Sequence, residues 1–130
     1  MKILLVDDDL ILQNLFKRQL HNLGLEDIST AQSGEDAISL AEQNIFDVGF
    51  FDINLLTELD GIETAKRVKA KQAEMQVVFI SANEDPVLME RASVVENLGF
   101  LNKPYNPELI EQYIKMVKIR IKQRNRIKSD

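Results

Sequence analysis

Five short apolar runs alternate with five stretches of helical periodicity, and that alternation restricts the fold more than any single residue does. Lys2 to Val6, Glu26 to Ala31, Phe46 to Asp52, Gln76 to Ser81 and Gly99 to Leu101 are short and bounded by polar or turn residues. Such runs read as strands covered on both faces, as in a parallel sheet with helices on either side. The Glu26 to Ala31 run is the least apolar and suits an edge. With right-handed crossovers, the alternation predicts a single α/β domain built on a doubly wound parallel sheet. It does not give the strand order.

The stretches between the runs carry helix signals. Leu12, Leu15, Phe16, Leu20 and Leu23 recur at helical spacing with Gln13, Lys17, Arg18 and His21 between them, and Gly24 stands where a left-handed cap belongs. Ser33 opens a second helix reaching about Gln43, with Glu35 and Asp36 in its first turn, where the helix dipole favours acids. Asp60-Gly61-Ile62-Glu63 opens a third, running to Lys71. Asp85-Pro86 and Asn106-Pro107 are cap-plus-proline signals for a fourth, reaching about Asn97, and a fifth. The stripe of the last helix runs through Leu109, Ile110, Tyr113, Ile114, Val117 and Ile121. Beyond Ile121 the sequence predicts fraying or an exit from the domain.

The residues that end the strands share a chemistry. Strand one delivers Asp7 and Asp8, strand three Asp52, strand four Ser81 and strand five Lys103. In an open α/β sheet these ends meet in one crevice, where ligands bind. Crowded carboxylates raise one another's pKa unless a cation offsets them. A hard divalent ion suits such oxygens, and Mg2+ suits a site with few protein ligands because it keeps several waters and shares the rest with phosphate. The pattern therefore predicts a phosphoryl-handling pocket. Asp9 reads as a helix cap and His21 as a solvated residue.

Composition narrows the class. The chain has 130 residues and no cysteine, so it has room for one core and forms no disulfide or thiolate metal site. Its start is too short and too acidic for a signal peptide, no apolar run approaches a membrane span, and a cytoplasmic location is expected. Up to Ile114 there are 9 basic and 20 acidic residues, whereas from Lys115 onward there are 7 basic residues and only Asp130. The acidic body disfavours nucleic acid. The basic end reads as a solvated helix turn and linker, with binding of a nucleic acid or an acidic surface as the alternative.

Taken together, these motifs resemble the receiver domain of two-component response regulators, the CheY-like family, over roughly residues 1 to 121. Residues 122–130 would be a basic extension of the last helix or the start of a linker. The resemblance rests on the acids after strand one, Asp52, Ser81-Ala82 and Lys103-Pro104 in order. It implies the flavodoxin-like strand order 2-1-3-4-5. It further implies that Asp52 takes a phosphoryl group from the phosphohistidine of a sensor histidine kinase or a histidine phosphotransfer protein. Asp8, Asp52 and the backbone carbonyl of Asn54 would hold Mg2+ directly, and Asp7 through water. Lys103 would supply counter-charge and Ser81 a hydrogen bond to the phosphoryl group. Phe100, otherwise a core residue, would move as the switch aromatic and reshape a surface of helix four, strand five and helix five. Through that surface the domain would regulate an output that the sequence does not name, or form a phosphorylation-dependent homodimer. Asn54 and Asn83 stand where the family tunes loss of the phosphoryl group.

One stretch departs from the family. The proline expected four residues after the phosphoacceptor is Leu56, and the glycine expected eight after it is Gly61, nine after, so Leu55 to Asp60 holds an extra residue. Two rival readings remain: a receiver-like binding module that does not use phosphorylation, and an aspartate-nucleophile phosphatase of the haloacid dehalogenase type. The second acid usual in those phosphatases is Asn54 here.

Overall fold

A computed structural model describes residues 1–56, 58–82 and 85–129. In chain order its elements are β1 (Ile3–Val6), α1 (Leu10–Asn22), β2 (Ile28–Ala31), α2 (Gly34–Gln43), β3 (Val48–Asp52), α3 (Gly61–Lys71), β4 (Gln76–Ser81), α4 (Pro86–Ala92), β5 (Gly99–Asn102) and α5 (Pro107–Ser129). All strand pairings are parallel, in the order β2-β1-β3-β4-β5, so β2 is an edge strand.

The apolar strands form because their residues project alternately into two separate cores. On one face Leu4, Val6, Phe51, Val77 and Phe79 pack with Ala37 and Ala41 of α2 and Ile62, Ala65 and Val68 of α3. On the other, Ile3, Leu5, Phe50, Val78 and Ile80 pack with Phe16 and Leu20 of α1 and Ile110, Ile114 and Val117 of α5. Each fully buried side chain of this size contributes about 1.5–3 kcal/mol, offset by chain entropy. The register aligns the strand ends: Val6 lies beside Phe51, Asp52 beside Ile80, and Ser81 beside Asn102. Every strand therefore releases its next side chain at the same edge.

Side-chain oxygens begin the helices as expected. Asp9 accepts from the Ile11 and Leu12 amides, Ser33 from Asp36, Asp60 from Glu63 and Asp85 from Val87. Gly24 after α1 adopts φ 83°, a left-handed conformation that suits glycine. His21 is exposed, whereas Gln13, read as a polar-face residue, is only 4% exposed.

One helix end differs from the sequence reading, and another takes one of the two forms that the sequence allows. α4 stops at Ala92 rather than near Asn97, because the backbone turns there and Asn97 Nδ2 donates to the carbonyls of Ala92 and Val95. α5 continues past Ile121 to Ser129, the extension of the last helix that the sequence allows, rather than fraying. Arg120 lies 3.7 Å from Glu96, and Arg124 lies 3.7 Å from Asp47 and 3.5 Å from Glu74, so charge pairing continues where the apolar stripe ends. Among the described residues no helix is long and apolar enough to cross a membrane.

Candidate functional site

β1 and β3 lie side by side and end in acids, which brings Asp7, Asp8 and Asp52 together. Each offers a carboxylate oxygen, and the three oxygens lie within 4.8 Å of one another. Asp7 is 0% exposed and Asp52 only 2%. Lys103, carried past the end of β5, donates from Nζ to Asp52 Oδ2 at 2.8 Å and lies 3.5 Å from Asp7 Oδ2. Backbone amides hold the other oxygens: Asn54 N–H donates to Asp52 Oδ1, Asp9 N–H to Asp7 Oδ1 and Leu56 N–H to Asp8 Oδ2.

One ammonium contacts two buried acids with Asp8 beside them, and the charge states of Asp52 and Lys103 reflect that crowding. Burial pushes the Asp52 carboxyl above its ordinary value; Lys103 and the Asn54 amide oppose the rise, and Asp7 adds to it. Burial also disfavours the Lys103 charge, but Asp52 and Asp7 outweigh it and hold the ammonium above its ordinary range. The two directions agree physically: two acids favour the charged lysine, whereas one ammonium does not fully offset the burial of Asp52. A hard divalent cation would supply the difference. The donor set of clustered carboxylate oxygens fits Mg2+, with Asp7, Asp8 and Asp52 the residues to hold it.

The remaining predicted residues surround this pocket. Ser81 is buried at the end of β4, and its carbonyl accepts from the Lys103 amide at 3.2 Å. Phe100 is half-buried, its ring 5.9 Å from that of Phe79, and its carbonyl accepts from the Tyr113 hydroxyl. Asn54 is exposed at the rim, and Asn83 lies outside the described residues. Asp9 serves as the α1 cap and is not among the three clustered acids.

The longer loop after Asp52 keeps its contact with the site. Gly61 N–H donates to the Ile53 carbonyl, and a Cβ at Gly61 would fall 2.0 Å from the Asp52 carbonyl oxygen. Only glycine allows α3 to approach the end of β3 this closely. Leu56, in the place of the expected proline, is 90% exposed.

Two residues of the site escaped the sequence reading. Gln13 Nε2 donates to the carbonyls of Asp7 and Ala31, fixing the turn that presents the acids. Tyr105 donates its hydroxyl to Asp7 Oδ2 at 2.7 Å while its ring packs edge-on against Phe16, centroids 4.8 Å apart. Burial, then Asp7, pushes the Tyr105 hydroxyl well above its usual pKa, so it remains a donor. The available signal was its position two residues after Lys103, on the same sheet edge.

Comparison with known proteins agrees with this geometry. The family model for the response regulator receiver domain matches residues 3–115. The chain is 29% identical over 128 residues to the sensory transduction protein LytR of Staphylococcus haemolyticus, covering 98% of this chain and 49% of that protein. It is 25% identical over 119 residues to the transcriptional regulatory protein LytR of Staphylococcus aureus, covering 91% and 47%. The chain thus spans about half the length of the curated relatives it matches. The chemotaxis protein CheY4 of Vibrio cholerae superposes with TM-score 0.80 at 27% identity, over 89% of this chain and 97% of that one. The signal receiver domain of a modulated diguanylate cyclase from Desulfovibrio desulfuricans does so with TM-score 0.85 at 28% identity, over 94% and 97%. The flavodoxin-like sheet, the acidic edge and the family match converge: this chain belongs to the response regulator receiver domain family of two-component signalling.

Proposed function

We propose that Asp52 is the phosphoacceptor of this receiver. A carboxylate oxygen of Asp52 attacks phosphorus, an O–P bond forms, the P–N bond of a phosphohistidine breaks, and the imidazole leaves with the bonding pair. The observation that carries the reading is the Asp7, Asp8 and Asp52 cluster with Lys103 at 2.8 Å from Asp52. Bound Mg2+ would offset the charge of the transferring oxygens. Lys103 neutralises charge on the opposite side, and the Asn54 amide orients the attacking carboxylate. Ser81 ends β4 on the same edge, and in this reading its hydroxyl donates to a phosphoryl oxygen, drawing in the loop after β4 and freeing Phe100 to move.

Receivers are signalling modules, and the family implies a histidine kinase as donor and an output domain as target. On that basis we assign the donor as a sensor kinase or histidine phosphotransfer protein. The α4, β5 and α5 surface is the output face or a phosphorylation-dependent dimer contact, the location is cytoplasmic, and residues 1–121 form the switching unit. Incubation with Mg2+ and a small acyl-phosphate donor is expected to add one phosphoryl group by intact mass, and Asp52→Asn is expected to abolish it. Absence of any adduct on the wild-type chain would instead support a binding module.

A further inference from the structure

We propose that Tyr105 is a positioning residue that keeps Lys103 on Asp52 by satisfying the competing carboxylate of Asp7. The inference rests on the phosphoacceptor reading above and concerns how its lysine is allocated. Lys103 Nζ stands between two buried carboxylates, 2.8 Å from Asp52 Oδ2 and 3.5 Å from Asp7 Oδ2. Those acids compete for one ammonium. The Tyr105 hydroxyl donates to the same Asp7 oxygen at 2.7 Å, and the Asp9 amide donates to the other at 2.9 Å. Asp7 is therefore supplied with donors before it needs the lysine, and the short contact goes to Asp52. The ring that holds the hydroxyl is itself fixed against Phe16. Outer partners of this kind commonly change metal affinity or rate by about tenfold or more when removed.

Tyr105→Phe retains the ring and removes only the hydroxyl. In that variant Asp7 carries more uncompensated charge, so it attracts both a divalent cation and Lys103. The expected signature is a split: Mg2+ binding by calorimetry becomes severalfold tighter, while phosphoryl uptake at saturating Mg2+ slows about tenfold. The side-chain ammonium resonance of Lys103 shifts in the metal-free protein. In an Asp7→Asn background the competitor is gone, and Tyr105→Phe then has little effect on the uptake rate. Unchanged Mg2+ affinity together with an unchanged Lys103 resonance would overturn the proposal. So would a parallel weakening of metal binding, rate and thermal stability, which marks a packing role only. If the wild-type chain takes up no phosphoryl group, the assignment of Asp52 fails. The Mg2+ affinities and the Lys103 resonance still decide the role of Tyr105.

Discussion

The two ends of the same sheet treat their acids in opposite ways: Asp47 at one end is partly exposed, whereas Asp7 and Asp52 at the other are buried. At the amino end, Asp47 before β3 accepts from the Lys2 amide at 2.7 Å, and Arg124 of α5 lies 3.7 Å from its other oxygen. The charge there faces an arginine, which Glu74 also approaches at 3.5 Å, and the partners of Asp47 join β1, β3 and α5. At the carboxyl end, Asp7 and Asp52 share one lysine, and Asp8 clusters with them. An acid that serves architecture brings its counter-charge with it, whereas an acid held for chemistry is left short of one.

The contrast can be tested by removing one charge at a time. The largest effect is expected for Lys103→Met, which leaves two buried carboxylates with no cation. It should cost about 3 kcal/mol in denaturant unfolding at neutral pH, with a substantial part regained on adding Asp52→Asn. Asp47→Ala should cost about 1 kcal/mol by the same measurement and leave the Mg2+ dependence of stability unchanged, because its partners are structural. Asp8→Asn should have the opposite sign. Without metal it is expected to stabilise by about 1 kcal/mol, the scale of a like-charge contact near solvent, and calorimetry should show weakened Mg2+ binding. If the two aspartate substitutions changed stability in the same direction, the distinction between the ends would fail.

The smallest effect concerns a matched acid close to the site. Burial raises the Asp60 pKa, but the Glu63 amide and Arg91, 2.6 Å away, outweigh it and hold the carboxyl below its ordinary value. A group depressed in the folded state contributes stability above its unfolded pKa, and that contribution is lost as pH falls through the folded value. Asp60→Asn should therefore flatten the acid limb of the stability curve below about pH 4. At neutral pH the loss should be small, since the pair is partly exposed.

The sheet and the acidic edge were legible in the sequence because each depends on local evidence repeated along the chain. Strands such as Val48–Asp52 are apolar on both faces, and the caps Asp9, Ser33, Asp60 and Asp85 announce their helices within three residues. Tyr105 and Gln13 were not legible, because their partners are set by tertiary proximity and neither breaks the periodicity of its segment. The early end of α4 was hidden because Val94 and Val95 prolong a helical pattern while the backbone turns under them. Whether α5 continues or frays was left open for a related reason. Arg124 finds Asp47 and Glu74 on distant segments, which no inspection of residues 122–129 alone would reveal.

α5 has a mechanical consequence of its own. Ile110, Ile114 and Val117 anchor its first half in the core, while the turns around Arg124 rely on ion pairs with partly exposed partners. Amide protons near Val117 should exchange only when the whole domain opens, and those past Ile121 through brief local unwinding that added salt accelerates. A single continuous rod is thus graded from rigid to yielding along its length.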